Sequence, residues 1–454
     1  MSKIIRTYHP VTGSLLKEYS CQTNQQLEEA LESSNRAFKS WRSRKVADRL
    51  SLLSNLGELL RDKRESLAGL ISLEMGKPIK DALGEVDKCA LLCDYYVQHS
   101  ERTLRNKPLE SSFESSYIQY VPKGIILGIM PWNFPFWQAF RFAVPAIISG
   151  NTVMLKHAPN TTECNLIIER LFAMAGFPKH IYRALVIEVD QVENIIAHPY
   201  VGGVSLTGSE RAGSSVASLA GKYIKTSVLE LGGNDACLIT EEADFEQAIK
   251  AAVQSRMINT GQTCISTKRI FVPKDKLDEL SEKAVAHFSE YVKGDITDLR
   301  TQIGYMARPD LADQLVEQYG ELVEHGAVIK KALEREGNFI SPALLVMKEA
   351  DRFMIDQELF GPVALMYPYT SIESALEEIN ASPFGLGASV WCDNDDKATQ
   401  IASEIDAGCV AINDFVKSDV SLPFGGTKRS GYGRELHTDA LLAFTNQKTI
   451  YRSK

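Results

Sequence analysis

Cys264 ends the run Asn259-Thr-Gly-Gln-Thr-Cys, just past the helical pattern AIKAAVQSRM. A thiol at such a polar, glycine-containing boundary differs from a core thiol, because thiolates gain stability near helix ends and cations. The bland alternative is a packed, inert cysteine. Glu230 closes the strand-like TSVLEL two residues before Gly232-Gly233. Strand ends are where α/β proteins place ligands, and a desolvated glutamate there has a raised pKa suited to a general base. An exposed strand-end acid is the plainer alternative. Pro131-Trp-Asn-Phe-Pro-Phe-Trp follows the apolar run IILGIM. Asn133 is predicted to N-cap a helix with Pro135 in its first turn. Asn133, Trp137 and Arg141 then fall at i, i+4 and i+8, roughly one face. An amide, an indole and a guanidinium along one wall suit an anionic substrate. The same residues could equally be a cap, a core tryptophan and a salt-bridged arginine. Thr207-Gly208-Ser209 leads from VGGVSL into the helical SSVASLAG, and Ser209 is the expected N-cap. The free N–H groups of such a helix start attract anions.

The elements around these residues alternate. Asn24 to Trp41 reads as a capped helix, 45–75 as one or two amphipathic helices, and Ile79 to His99 as another. After Gly124, short apolar runs (IILGIM, TVMLK, RALVI, VGGVSL, SVLEL) mostly lead into helical or glycine-rich segments. A second alternation follows from Ala236, with ACLIT, RIFV, FGPVALMYPY, GASVWC and GCVAIN as strands. Strand–helix alternation of this kind predicts an α/β fold with parallel sheets. Two lobes with a hinge near 230 are expected, with leftover segments at 105–122 and near the C-terminus, where QKTIYR reads as a strand.

Composition bounds what these lobes can do. With 454 residues the chain exceeds what one core supports, so two or three domains are expected. Lys+Arg 50 against Asp+Glu 58 leaves no basic field for nucleic acid or an anionic membrane. Eight cysteines without C-x-x-C or a Cys/His cluster argue against a disulfide scaffold or a zinc site, so no metal is expected. The opening stretch has no apolar core of a signal peptide, and no run is long enough to span a membrane. A cytoplasmic protein is the expectation. G-x-G-x-x-G and the P-loop pattern are both absent.

In order and at the usual separations, PWNFPFWQ, TVMLKHAPN, SLTGSERAG, VLELGGNDA, NTGQTC, QELFGPV and PFGGTKRSGYGREL resemble the aldehyde dehydrogenase superfamily. The resemblance covers essentially the whole chain from about Thr12. Within the superfamily, MPWNFPFWQAFR with LKHAPN is most similar to the shorter bacterial succinate-semialdehyde dehydrogenases. The resemblance implies a Rossmann-type cofactor domain (1–104 and 123–230), an α/β catalytic domain (231–431) and a small β oligomerisation element (105–122 and 432–454). A homodimer or homotetramer is implied with it. By motif, Cys264 would be the nucleophile, Glu230 the base, and Asn133 an oxyanion donor beside the Cys264 N–H. Lys156 would contact the adenosine ribose, Gly208, Ser209 and Leu231 the pyrophosphate region, and Glu358 the nicotinamide ribose. Trp132 and Phe360 would shape the nicotinamide end.

That set implies oxidation of an aldehyde, expected to be succinate semialdehyde, to its acid through a cysteine thiohemiacetal and thioester. NAD-type relatives commonly carry Lys-Pro-x-Glu, whose acid binds the ribose 2′-hydroxyl. Pro159 stands there in Lys156-His-Ala-Pro159, removing a charge that would repel a 2′-phosphate. Both NADP+ and NAD+ are therefore expected, with a lean to NADP+. For the substrate, Arg141 is expected to bind a distal carboxylate, with Trp137 beside it and Ser418 or Ser421 helping. A CoA-acylating enzyme and a catalytically silent scaffold are the competing functions. Glu230 weighs against the first, because a hydrolysing base would waste the thioester. The intact trio Cys264, Glu230 and Asn133 weighs against the second.

Overall fold

The strand-rich alternation resolves into two separate, mostly parallel sheets in the computed structural model, which describes residues 3–347 and 357–453. The first has six strands, in the order Gly431–Tyr432, Thr226–Glu230, Val201–Thr207, Ile125–Met130, Thr152–His157, Tyr182–Leu185. All neighbours run parallel except the short Gly431–Tyr432, which lies antiparallel against Leu229 and Glu230. From Ile125–Met130 the chain winds outward to Leu185, then returns to the other side at Val201. The switch point therefore lies between Ile125–Met130 and Val201–Thr207, the position where open α/β sheets bind ligands beyond their carboxyl ends. Asn133 and Ser209 follow those two strands.

The second sheet has seven strands, ordered Val328–Lys331, Ala343–Val346, Val363–Tyr369, Arg269–Pro273, Ala236–Ile239, Gly387–Trp391, Cys409–Ile412. Only the edge strand Val328–Lys331 is antiparallel. The link 231–235 is so short that the carboxyl edge of the first sheet faces the amino edge of the second. Glu230 ends one sheet at that junction, and the Cys264 loop enters the other just before Arg269.

Helices cover both faces of each sheet. The helix Pro135–Ile148 is buried along its whole length, which its near-continuous apolar sequence PFWQAFRFAVPAII requires. The long helix Ile79–Thr103 packs against it and against Val46–Asp62. Asn24–Trp41 begins at Thr23 with a capping box closed by Gln26. Among the described residues no helix is long and apolar enough to cross a membrane, and no His/Cys/Asp/Glu cluster could hold a metal ion.

Three segments depart from the sequence expectations. Ile4–Tyr8 and Leu15–Ser20 form an antiparallel hairpin, and Ala343–Val346 adds a strand to the second sheet. The hairpin is largely exposed on both faces, so its sequence carries no clean alternation. At the C-terminus, Thr445–Arg452 pairs antiparallel with Ser115–Pro122 in a separate three-stranded sheet. Residues 432–444 do not leave with it: Leu436, Leu441 and Phe444 are packed into the main core. The outlying element thus starts at Thr445, not at 432.

Candidate active site

The nucleophile loop is built on unusual backbone. Helix Phe245–Met257 gives way to a short turn in which Asn259 and Thr260 have φ of 55° and 58°. Left-handed conformations cost energy for side-chain-bearing residues and persist only where surroundings enforce them. Here the Asn259 amide donates to the carbonyls of Asn133 (2.9 Å) and Gln262 (3.2 Å). The Asn133 amide donates to that same Gln262 carbonyl at 3.1 Å. Gln262 in turn donates to the Tyr305 carbonyl and accepts from Ala307 N–H. Asn133 is therefore tied to the loop two residues ahead of Cys264, with a second amide hydrogen to spare. Among the described residues, no protein acceptor takes the Cys264 backbone N–H.

Asn133 is not the helix cap. The cap position falls on Phe134, without a side-chain hydrogen bond. Glu85 takes over instead: its Oε1 accepts from Phe136 and Trp137 N–H at 2.8 and 3.0 Å. Its other oxygen pairs with the fully buried Lys77 at 2.7 Å.

Cys264 is half-buried and opens into a cavity of about 320 Å³. Trp137, Arg141 and Ser418 line the same cavity, as do Phe134, Ile265, Phe415 and Val416. Burial pushes the thiol up to about 12, with Lys268 and Arg141 pulling the other way. Lys268 is fully buried; it donates to the carbonyls of Thr263 (3.1 Å) and Cys264 and pairs with Glu358 at 3.3 Å. Glu358 also accepts from Gly233 N–H at 3.2 Å. One cation thus joins the nucleophile loop to the acid of the QELFGPV motif, a link no motif disclosed.

Glu230 is not on the cavity wall. It is buried at the junction of the sheets, where its carbonyl accepts from Gly208 N–H at 3.0 Å. Burial raises its carboxyl well above the ordinary range, with Arg141 opposing and Glu435 adding to the shift. Among the described residues its Oε1 has no hydrogen-bond partner. Gly425 packs against it so closely that a Cβ there would lie 2.7 Å from Oε1.

Arg141 departs most from expectation. Its guanidinium is 2% exposed and forms an ion pair with the buried Glu435. It also lies 4.8 Å over the Phe424 ring. Its charge is met by Glu435 inside the protein, while the residue still lines the cavity. Ser421 is likewise displaced: it is exposed and donates to Asp419 at 2.6 Å. Lys88, which belongs to no motif, also lines the cavity, donates to Ser418 Oγ at 2.6 Å and lies 4.3 Å over the Trp137 ring. Only its position one turn after Glu85 could have pointed to it.

The remaining candidates follow the carboxyl edge of the first sheet. Lys156 is the penultimate residue of Thr152–His157, with its stem buried and its Nζ donating, among the described residues, only to the His157 carbonyl at 3.4 Å. Pro159 opens the short turn of helix that follows. Ser209 caps Glu210–Lys222, accepting from Ala212 N–H at 3.4 Å. Lys156 lies on, and Ser209 just beyond, the two strands that flank Ile125–Met130. Leu231 packs directly under Gly213 of that helix. Trp132 and Phe360 meet edge to face at 5.7 Å. A weakly bonded buried lysine, an open helix start and no acid at position 159 fit a phosphate-bearing dinucleotide. Glu188 is the acid that Lys156 senses most.

Comparison with known proteins places this geometry. The profile of the aldehyde dehydrogenase family matches residues 1–450. A probable succinate-semialdehyde dehydrogenase [NADP(+)] of Synechocystis sp. is 40% identical over 450 residues, covering 98% of this chain and 99% of the relative. The succinate-semialdehyde dehydrogenase [NADP(+)] of Deinococcus radiodurans is 38% identical over 447 residues, covering 98% and 94%. Among solved structures, the succinic semialdehyde dehydrogenase of Streptococcus pyogenes in complex with NADP+ superposes with a TM-score of 0.96. It is 35% identical and covers 99% of this chain and all of that one.

Proposed function

The chain belongs to the aldehyde dehydrogenase family, and from that premise we propose that it oxidises succinate semialdehyde to succinate with NADP+, in the cytoplasm, as a homodimer or homotetramer. The observation that carries the reading is Cys264 on the wall of a cavity that also presents Trp137, Ser418 and an ammonium group. Relatives named for this substrate and cofactor support it.

The steps follow from the residues. Cys264 Sγ adds to the aldehyde carbon and its proton passes to Glu230, giving a thiohemiacetal. The oxygen that gains charge is met by the spare Asn133 hydrogen and the unused Cys264 N–H; losing one such donor typically costs about 10²–10³ in rate. When bound, the nicotinamide supplies the hydride acceptor that turns the thiohemiacetal into a thioester. Glu230, once it has released the thiol proton to solvent, takes a proton from the water that attacks the thioester, and the Cys264 thiolate leaves. A glutamate with a raised pKa is a stronger base once ionised than an exposed one. Succinate semialdehyde, NADP+ and water thus become succinate, NADPH and two protons.

For the cofactor, Lys156 would hold the adenosine ribose and its 2′-phosphate, with Pro159 replacing a repelling acid. Gly208, Ser209 and Leu231 would hold the pyrophosphate at the helix start, and Glu358 the nicotinamide ribose between Trp132 and Phe360. In this reading 1–104 and 123–230 bind cofactor, 231–431 carry the thiol, and the sheet of 105–122 with 445–452 joins subunits. A panel of semialdehydes and neutral aldehydes, assayed with each cofactor, tests it. NAD+ outperforming NADP+ by more than about 100-fold in kcat/KM, some 2.7 kcal/mol, would refute the charge argument at Pro159.

A further inference from the structure

The oxyanion donor and the nucleophile come from different lobes. Asn133 follows Ile125–Met130 of the first sheet, and Cys264 precedes Arg269–Pro273 of the second. The helix Ile79–Thr103 is bonded to both. At its start, Ile79 N–H donates to the Ile296 carbonyl at 2.7 Å, and the Gly76 carbonyl accepts from Tyr305 N–H at 3.0 Å. Asp81 Oδ2 accepts from Asn259 N–H at 3.2 Å, in the left-handed turn whose Asn259 amide holds the Asn133 and Gln262 carbonyls. One turn on, Glu85 reaches the other way and caps Phe136 and Trp137 N–H. Residues four apart share a helix face, so both carboxylates act from one side. Lys77 pairs with Glu85 and lies 4.0 Å over the ring of Phe134, the neighbour of Asn133. Asparagine is itself a capping residue, and Phe136 N–H is the donor three positions on that an Asn133 cap would take. Asn133 Oδ1 is buried and, among the described residues, has no partner. Glu85 occupies the donor that Asn133 would otherwise claim.

We propose that Glu85 and Asp81 are positioning residues for the oxyanion: Glu85 keeps Asn133 from capping its own helix, and Asp81 fixes the turn that leads to Cys264. The inference rests on the reading of Cys264 as nucleophile and Asn133 as donor. Without the Glu85 oxygen, Phe136 and Trp137 N–H are orphaned in an apolar interior, a costly state. Rotation of the Asn133 side chain relieves it, because Oδ1 then accepts from Phe136 N–H. The same rotation withdraws Nδ2 from the Gln262 carbonyl and from the oxygen that gains charge on the substrate. Lys77 supplies the counter-ion that the buried Glu85 carboxylate needs. Without the Asp81 oxygen, the Asn259 turn loses the bond that ties it to the helix, and the two lobes keep fewer constraints on the spacing of Asn133 and Cys264.

The measurement compares two reactions of Cys264 in the cofactor-free full chain. Acylation by p-nitrophenyl acetate passes through a tetrahedral oxyanion; alkylation by iodoacetamide forms none. Both consume the same thiolate, so their rate ratio reports the oxyanion donors and cancels changes in the thiol itself. Asn133→Ala sets the scale, with a ratio about 10²–10³ lower than wild type. Lys77→Met/Glu85→Met removes the cap without stranding a charge and should lower the ratio about 100-fold. Lys77→Met/Glu85→Gln, whose amide oxygen still accepts, should stay within about threefold of wild type. Asp81 is half-buried, so Asp81→Ala tests the brace without opening the core; it should lose about tenfold, and Asp81→Asn should restore the ratio. An unchanged ratio in Lys77→Met/Glu85→Met overturns the role of Glu85, even where both reactions slow together through a loosened fold. Equal losses in the Met and Gln pairs also overturn it. An unchanged ratio in Asp81→Ala overturns the role of Asp81. A wild-type ratio in Asn133→Ala overturns the oxyanion reading itself, and this inference with it.

Discussion

At the scale of single residues, the resting protein holds its thiol protonated. Burial drives Cys264 up to about 12, so at neutral pH the thiolate fraction is small. The sign is direct: a raised thiol pKa means reactivity climbs with pH and saturates only above it. In the cofactor-free protein, alkylation of Cys264 by iodoacetamide should accelerate about tenfold per pH unit between about pH 7 and pH 10. A plateau near pH 8 would contradict that environment. Arg141 gives a second residue-scale prediction. Removing one member of a buried ion pair strands the other charge, at a cost of about 3–5 kcal/mol. Arg141→Met should therefore lower the thermal midpoint by several degrees, and Arg141→Met/Glu435→Met should regain much of that loss. A variant of unchanged stability would mean that the pair contributes nothing. The motif spacing gave Arg141 a face but not a partner, because Glu435 lies almost three hundred residues away in sequence.

At the scale of elements, the nucleophile loop depends on glycine. Gly261 has φ +73°, and a Cβ there would overlap the Gly361 carbonyl. Gly261→Ala should move Cys264 away from Asn133 and reduce kcat by about 100-fold, the cost of roughly an ångström of misplacement, with the far-UV circular dichroism unchanged. Retained kcat would show that the loop tolerates the shift. What the sequence disclosed at this scale follows from how each element is buried. Asn24–Trp41 carries one apolar stripe and a capping box, so both of its ends were legible. IILGIM and TVMLK are buried on both faces and read as continuous apolar strands. The Ile4–Ser20 hairpin is exposed on both sides and left no pattern. Asn133 looked like a cap because its type and position suit one. The amide instead braces the nucleophile loop, while Glu85 from another helix satisfies the first turn.

At the scale of the whole molecule, Glu230 ends one sheet and the Cys264 loop leads into the other, so the two come from different sheets. The order of the motifs implied as much, but it could not show which side chains face the cavity. Lys88, on a helix without a motif, stayed invisible for that reason. The strand Thr445–Arg452 forms one edge of the outlying sheet, with most of its residues exposed. A long unpaired edge invites a second chain, so analytical ultracentrifugation should give the proposed dimer or tetramer for the full chain and monomers after deletion of 445–454. An unchanged mass would place the subunit contact elsewhere. Every proposed step depends on Cys264 acting on a semialdehyde with NADP+. Its most direct test is NADPH formation from succinate semialdehyde by wild type and by Cys264→Ala. The expected result is steady turnover in wild type and none detectable in the variant; NADPH formation that survives loss of the thiol would contradict it.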